Sequence, residues 1–309
     1  MKYSFFKLKF KGVTYILFLL IFIKTNAQDI EPRRWSTMPL GTHVFGAGYG
    51  YTSGKILFDP VLEAEDVKVD IHAFAAVYVQ PFKIGKKLGR IDFLLPYATA
   101  RWDGLLSGEP ITIKRNGFSD PRIRMSVNLI GPNAMGPKEM MQYLKEHPVN
   151  TIFGASVAIT LPLGQYDETK LLNLGRNRFV IRPQIGMVHN WGLWSYELTG
   201  SVFIYTNNNS FFNNQVRKQD PVFALQTHII RRFSNKMWAS LSGGYGLGGQ
   251  SIVNKEPKDD EHGDFLWSLS YGAPLSKTQA IKLVYVRYET TKDVGSNTNT
   301  IGISWSKLF

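Results

Sequence analysis

The stretch RIRMSVNL, residues 122–129, decides the fold class of this 309-residue chain. The polar residues Arg122, Arg124, Ser126 and Asn128 alternate strictly with apolar ones. Because successive side chains of a β-strand point to opposite faces, the strand has one polar face and one apolar face. This pattern is typical of a strand that separates a lipid bilayer from a polar lumen.

Similar segments recur along the chain. Scoring alternation from Gly41 onward gives about twelve candidate strands of roughly 9 to 14 residues, the length that a tilted membrane strand requires. Long polar connections, such as residues 103–117 and 206–221, alternate with short ones, as expected for a barrel whose termini both lie in the periplasm. After the first 27 residues, no stretch approaches the ~20 apolar residues of a spanning helix. We therefore predict an all-β fold, a closed antiparallel transmembrane β-barrel of about 12 strands.

One of the inner connections, which are expected to be short, is long. It spans residues 131–150 and contains residues 137–147, which read as a short helix with Met140, Met141 and Leu144 on one side. The pattern favours a periplasmic surface helix. A plug or a partner contact is the alternative interpretation.

The first 27 residues predict export. Lysines at the start, an apolar run at residues 13–23 and small residues at 25–27 form the layout of a cleavable secretory signal. We expect residues 1–27 to be a signal peptide and residues 28–309 to be one barrel domain. The expected location is the outer membrane of a Gram-negative bacterium, with outer-membrane lipid around the barrel.

The C-terminal segment alternates as a last barrel strand should. Ile301, Ile303 and Trp305 share one face, and the chain ends at Phe309. This pattern predicts recognition by the barrel-assembly machinery through the last strand.

Composition excludes several classes of function. Removing the signal peptide takes away five lysines and no acid, so the formal net charge falls from +12 to +7 without any block of like charges. A nucleic-acid partner is therefore not expected. The chain has no cysteine, which excludes disulfides and thiol catalysis. Its six histidines have no metal-ligand spacing, so we predict neither a metal ion nor a cofactor.

The alternation also assigns side chains to the lumen. The inward candidates are Lys68, Asp70, His72, Asp92, Arg122, Arg124, Arg182, Gln184, Glu197, Gln226 and His228. A charge that faced hydrocarbon at mid-depth would cost about 2–4 kcal/mol, which is why these residues are placed inside. Two roles remain open for them: lining and selectivity for a small-molecule solute, or ion pairs that stabilise the barrel wall.

Two prolines interrupt the pattern. Pro96 and Pro183 cannot donate to a strand ladder, and a closed barrel has no free edge for them. They mark strand ends, or one of them opens a gap in the wall for an apolar solute.

Several ordered motifs carry a resemblance. They are LGT at 40–42, LPY at 95–97, GFSDPR at 117–122 followed by SVNL at 126–129, PLGQY at 162–166, NLGRNR at 173–178 and QTH at 226–228. Together they resemble the phenol-degradation meta-pathway family of outer-membrane barrel proteins over nearly the whole mature chain. The resemblance implies a transporter for uptake or passage of small, often aromatic or apolar, molecules, and it supplies no agreed binding residues.

The predicted function is therefore an outer-membrane channel or transporter that is not an enzyme. A membrane-embedded hydrolase is the first alternative, with His228 or His189 near serines such as Ser201 and Ser242. A surface adhesion or partner-docking barrel without transport is the second. It would use the Asn-rich loop at residues 207–214, which contains two phenylalanines.

Overall fold

The computed structural model describes residues 30–58, 64–233 and 235–309. The predicted signal peptide lies outside these residues. In chain order the elements are β1 (Val44–Leu57), β2 (Ala64–Ile84), β3 (Lys87–Leu106), β4 (Glu109–Phe118), β5 (Arg122–Ile130), α1 (Pro137–Glu146), β6 (Val149–Thr160), β7 (Val180–Trp191), β8 (Trp194–Tyr205), β9 (Asn208–Phe211), β10 (Gln215–Gln219), β11 (Val222–Arg232), β12 (Trp238–Gly248), β13 (Ser251–Val253), β14 (Glu256–Pro257), β15 (His262–Pro274), β16 (Gln279–Thr290) and β17 (Gly295–Leu308).

Twelve of these strands close into a ring. The order is β1-β2-β3-β5-β6-β7-β8-β11-β12-β15-β16-β17, and β17 pairs with β1 along its whole length, from Val44 opposite Leu308 to Leu57 opposite Gly295. All pairs are antiparallel. The prediction of a closed 12-strand antiparallel barrel is confirmed, and closure leaves the ring without an exposed edge.

The outer face of the barrel is apolar and the inner face is polar on most strands. On β5 Met125 and Leu129 are exposed while Arg124 is buried, and the same alternation is found on β8 and β11. The exposed apolar side chains include Phe153, Val157, Ile185, Phe223, Leu225, Ile229, Leu241, Leu269, Leu283, Ile301 and Ile303. An apolar band around a closed barrel is what a bilayer requires of the outer surface.

The inward assignment of Lys68, Asp70 and His72 on β2 is wrong. Val67 and Val69 are buried on the inner face and pack with Trp102, whereas Lys68 and His72 are exposed. The error has a physical cause. β2 is 21 residues long, well beyond the about 9–11 that cross a bilayer, so we infer that its first half projects past the hydrocarbon, where charges carry no penalty on the outside.

The predicted polar loop at residues 103–117 is also wrong. This region is a hairpin in which the second half of β3 pairs with β4, while the first half of β3 pairs with β5. β4 and β5 thus form one long strand that is interrupted at residues 119–121. The hairpin was missed because its alternation mixes polar and β-branched residues and lacks an apolar membrane face.

A small sheet caps the end of the barrel that lies away from the termini. β9, β10, β13 and β14 form four strands from the two connections that leave β8 and β12. Phe211 and Arg217 of this sheet line a cavity together with barrel residues such as Arg182. The cap therefore lies over the outer mouth of the lumen.

The predicted helix is present as α1, in the connection from β5 to β6 at the end where the termini lie. Met140 is buried, but Met141 is 72% exposed and Leu144 is 39% exposed, so the three do not share one buried side. Among the described residues, no helix is long and apolar enough to span a membrane. The position of α1 at the rim agrees with a surface helix.

The two prolines differ in their surroundings. Pro96 continues the pairing of β3 with β2. On the other side of β3 the pairing is interrupted between Leu94, which pairs with β5, and Tyr97, which pairs with β4, and one hydrogen bond of 3.0 Å from the Ser119 backbone to the Pro96 carbonyl lies between them. At Pro183 the pairing of β7 with β8 is interrupted between Ile181 and Gln184. An apolar groove of about 800 Å³ lies on the outer wall at this point. The pairing is thus interrupted beside both prolines, and the hypothesis of a wall gap stays a prediction.

Candidate functional site: a lumen occupied by the N-terminal segment

Residues 30–36, which precede β1, lie inside the barrel. These residues are here called the luminal segment, and their Trp35 is only 1% exposed. Its indole lies against Gly154 and Gly186, which are register partners on β6 and β7. A Cβ atom added at either glycine would overlap the indole. The indole Nε1 donates a hydrogen bond of 2.7 Å to Thr199 Oγ1. Two facing glycines thus leave room on the barrel wall for one large aromatic ring.

The backbone of the luminal segment is bound by Glu197. The amides of Arg33 and Arg34 both donate to Glu197 Oε2, at 2.8 and 3.2 Å. Arg33 has a φ of 67°, a left-handed conformation that brings consecutive amides to one side of the chain. Glu197 is fully buried, so its carboxyl group is shielded from water and the two hydrogen bonds attach the segment to β8.

Ion pairs tie the luminal segment to β3 and β5. The Glu31 carboxylate contacts Arg122 at 3.0 Å and Arg124 at 2.7 Å. Arg124 also contacts Asp92 at 2.9 Å, and Arg90 contacts the other oxygen of Asp92 at 2.8 Å. Arg124 therefore bridges two carboxylates, one on the segment and one on the barrel wall. Breaking such a buried pair by removing one partner is strongly destabilising.

The structure brings most of the predicted inward residues together. Asp92, Arg124, Arg182, Gln184, Glu197, Gln226 and His228 are buried, and Arg122 is half-buried beside Glu31. Lys68, Asp70 and His72 lie on the outer wall, away from this group. A selectivity role for the inner residues stays a prediction.

Sequence reasoning missed the luminal segment itself. Glu31, Arg34 and Trp35 lie in a stretch that is not a strand, so alternation carries no information about them. The available signal was the run EPRRW at residues 31–35, which is charged and aromatic yet too short for an element of its own. Two glycines at inward positions of neighbouring strands, Gly154 and Gly186, would have indicated where its ring packs.

A second space lies between the luminal segment and the cap. It is a cavity of about 740 Å³, here called the outer cavity. Residues 164–178 form one wall, because the Asp120 carboxylate accepts hydrogen bonds from the backbone of Gly164 at 2.9 Å and of Arg176 at 2.8 Å. A Cβ at Gly164 would lie 2.7 Å from the Asp120 backbone nitrogen, so only glycine fits there. The motifs GFSDPR at 117–122, PLGQY at 162–166 and NLGRNR at 173–178 thus build this wall.

A comparison with known families matches residues 46–305, which covers nearly the whole barrel, to the family described as "Putative MetA-pathway of phenol degradation". The chain belongs to this family. A search of curated proteins gave no significant match.

Solved structures show the fold that this family member adopts. An outer membrane channel from Pseudomonas putida F1 is similar with a TM-score of 0.77 and 17% identity, over 91% of this chain and 100% of that chain. The transport unit of the autotransporter AIDA-I from Escherichia coli is similar with a TM-score of 0.51 and 9% identity, over 91% of this chain and 93% of that chain. Both similarities concern the fold, which in this chain is a closed 12-strand antiparallel β-barrel.

The barrel of this protein also contains an inward array of Glu197, His228 and Ser242. They lie opposite one another on β8, β11 and β12. Among the described residues, His228 Nδ1 and Ser242 Oγ have no hydrogen-bond partner, so the contact that activates a serine nucleophile is not made. Within the same residues, no cluster of three or more histidines or carboxylates is arranged to hold a metal ion. The array gives no positive support to the hydrolase alternative.

Proposed function

We propose that this protein is an outer-membrane channel for small molecules, without a chemical step, and that the luminal segment closes it. The observation that carries this proposal is the Trp35 indole, which is 1% exposed between the facing glycines of β6 and β7 inside the barrel. The glycines leave a space on the inner wall, and a side chain of the luminal segment fills it, not a side chain of the barrel strands.

The size of the barrel supports the proposal. An eight-strand barrel is filled by its own side chains, whereas about 16 strands leave an open aqueous channel. A ring of twelve strands lies between these limits, so its lumen needs additional atoms to be closed. The luminal segment supplies them, and apart from its chain connection to β1 it is attached to the wall by hydrogen bonds and ion pairs. We propose that the segment leaves the lumen when the channel opens, while the barrel stays folded.

The solute class follows from the family resemblance and from the lining. The outer cavity contains Tyr166, Phe203, Tyr205 and Phe211 as well as polar groups. Beside these rings the lining carries many polar groups, including five arginines. Aromatic rings give a small ligand with an apolar body a contact surface, and polar groups fix its orientation. We propose that the channel passes small molecules that have an aromatic or apolar body.

A surface-docking role without transport has less support. Asn208 of the Asn-rich loop is 2% exposed and donates to Tyr166 Oη at 2.9 Å, while Phe211 lines the outer cavity. These side chains serve the cap and the mouth of the barrel and do not present a free surface to a partner.

The substitution Gly186→Ala tests the proposed function. The added methyl group would occupy the position of the Trp35 ring, so we expect the ring to be displaced and the rate of solute entry into proteoliposomes to rise severalfold. Gly200→Ala on β8 is the matched control, because a Cβ there meets only Ile185 Cγ1 at 4.0 Å. Solute entry by the Gly186→Ala protein no faster than by the Gly200→Ala protein would contradict the proposal.

A further inference from the structure

The outer cavity carries an excess of positive charge. Its described lining includes the five arginines Arg122, Arg176, Arg178, Arg182 and Arg217. The one carboxylate among the described lining residues is Asp120, and both of its oxygens accept backbone hydrogen bonds. A concave site with one sign of charge and low-dielectric walls concentrates ions of the opposite sign.

Arg178 is buried and only partly compensated. It is 7% exposed, and no carboxylate among the described residues forms a salt bridge with it. One guanidinium nitrogen, Nη2, donates to Gln219, whereas Nη1 has no hydrogen-bond partner among the described residues. Burial, with the nearby charges of Arg217 and Arg176, lowers the pKa of Arg178 to about 9. A buried cation with an unused donor is costly unless an anion reaches it.

Aromatic rings fix the planes of the guanidinium groups. Arg178 lies 4.5 Å above the ring of Tyr205, and Arg182 lies 4.3 Å above Phe203. Stacking occupies one face of a guanidinium and leaves its edge for hydrogen bonds. A planar edge with parallel N–H donors matches the two oxygens of a carboxylate.

Inside the barrel, one carboxylate is already bound by arginine side chains. At the inner end of the outer cavity, the Glu31 carboxylate is bound by Arg122 at 3.0 Å and by Arg124 at 2.7 Å. The volume of the cavity, about 740 Å³, lies within the roughly 300–1,000 Å³ of small-molecule sites. A solute with a carboxylate and an apolar body would therefore find both donors and aromatic surface.

We propose that the outer cavity is a binding site for a small organic carboxylate with an apolar body, such as an aromatic acid, and that Arg178 binds the carboxylate. This proposal rests on the proposed channel function only in placing the cavity on the path of the solute through the barrel. Binding itself requires no flow through the barrel.

The test is isothermal titration calorimetry, in which the folded, detergent-solubilised full protein is titrated with benzoate at low salt. Benzamide serves as the neutral probe of the same shape, and inorganic phosphate as an anion without an apolar body. We expect saturable benzoate binding and at least about tenfold weaker binding of benzamide and of phosphate, because the charge-assisted hydrogen bonds or the apolar contacts are lost.

The variants Arg178→Gln and Arg178→Lys localise the site. We expect Arg178→Gln to weaken benzoate binding at least about tenfold, and Arg178→Lys to bind with an intermediate constant, because it keeps the charge and loses the paired donors. Arg231→Gln is the matched control, since Arg231 also stacks on an aromatic ring, Trp194 at 4.9 Å, but lies at the opposite end of the barrel. It should bind benzoate as the unmodified protein does.

Three results would overturn the proposal: no benzoate binding, equal affinity for benzoate and benzamide or phosphate, or equal affinity of the Arg178→Gln and unmodified proteins. If Arg178→Gln fails to fold, Arg178→Lys and the benzamide comparison decide. Faster solute entry through Gly186→Ala without benzoate binding would overturn this site alone. Benzoate binding without solute entry would contradict the channel and support the site.

Discussion

Replacing residues 30–36 with a glycine–serine linker of equal length is expected to raise the single-channel conductance severalfold. The linker preserves chain length but removes the Trp35 ring and the Glu31 and Arg34 charges, which occupy the lumen between β3, β5 and β8. The measurement is the unitary conductance of the refolded protein in a planar lipid bilayer. Trp35→Ala alone should give part of the increase, because it removes the largest luminal side chain of the segment.

Trp191→Ala is the control for this prediction. Trp191 is 39% exposed at the end of β7, outside the lumen, and its loss should leave the conductance unchanged. Equal conductance of the linker variant and the unmodified protein would show that the segment does not limit the passage of ions.

Replacing Arg124 by methionine is expected to lower the free energy of unfolding by about 3–5 kcal/mol, the cost of breaking a buried ion pair by removing one partner. Arg124 contacts both Glu31 and Asp92, and its own side chain is 8% exposed. The measurement is urea unfolding of the barrel in lipid vesicles, followed by tryptophan fluorescence. The loss in the double variant Glu31→Gln/Arg124→Met should be smaller than the sum of the losses in the two single variants, because each single variant already breaks the Glu31–Arg124 pair.

Arg101→Met provides the matched comparison. Arg101 forms a similar ion pair with Asp103 at 2.7 Å, but its side chain is 53% exposed. An exposed pair contributes about 0–1 kcal/mol, so this variant should unfold almost as the unmodified protein does. A loss at Arg124 no larger than the loss at Arg101 would mean that the luminal network does not stabilise the barrel.

The ring of the barrel could be predicted from the sequence because each strand carries its own alternation. Residues 122–129 show one apolar and one polar face without reference to any other part of the chain, and closure follows from repeating that pattern about twelve times. The same reasoning was wrong for β2, where Lys68 and His72 lie on the outer wall, because it assumed that every strand residue lies at membrane depth.

The luminal segment and the outer cavity could not be predicted in this way, because both depend on contacts between distant parts of the chain. Trp35 packs against Gly154 and Gly186, and its nitrogen binds Thr199. Arg178 and Arg217 belong to different connections, and folding of the cap brings them to one cavity. The alternation of residues within one segment carries no information about such contacts.

The most direct test of the account is a cleavable cross-link between the luminal segment and the wall. The chain has no cysteine, so Trp35→Cys and Thr199→Cys introduce the only thiols, at two positions whose side chains are in contact. A short bis-methanethiosulfonate reagent should join them in the folded protein and lower the conductance below that of the double variant before cross-linking. A reductant should then raise the conductance to the level of the double variant before cross-linking. Failure of the folded protein to form the cross-link, or a conductance that reduction leaves unchanged, would contradict the placement of residues 30–36 in the lumen as the element that closes it.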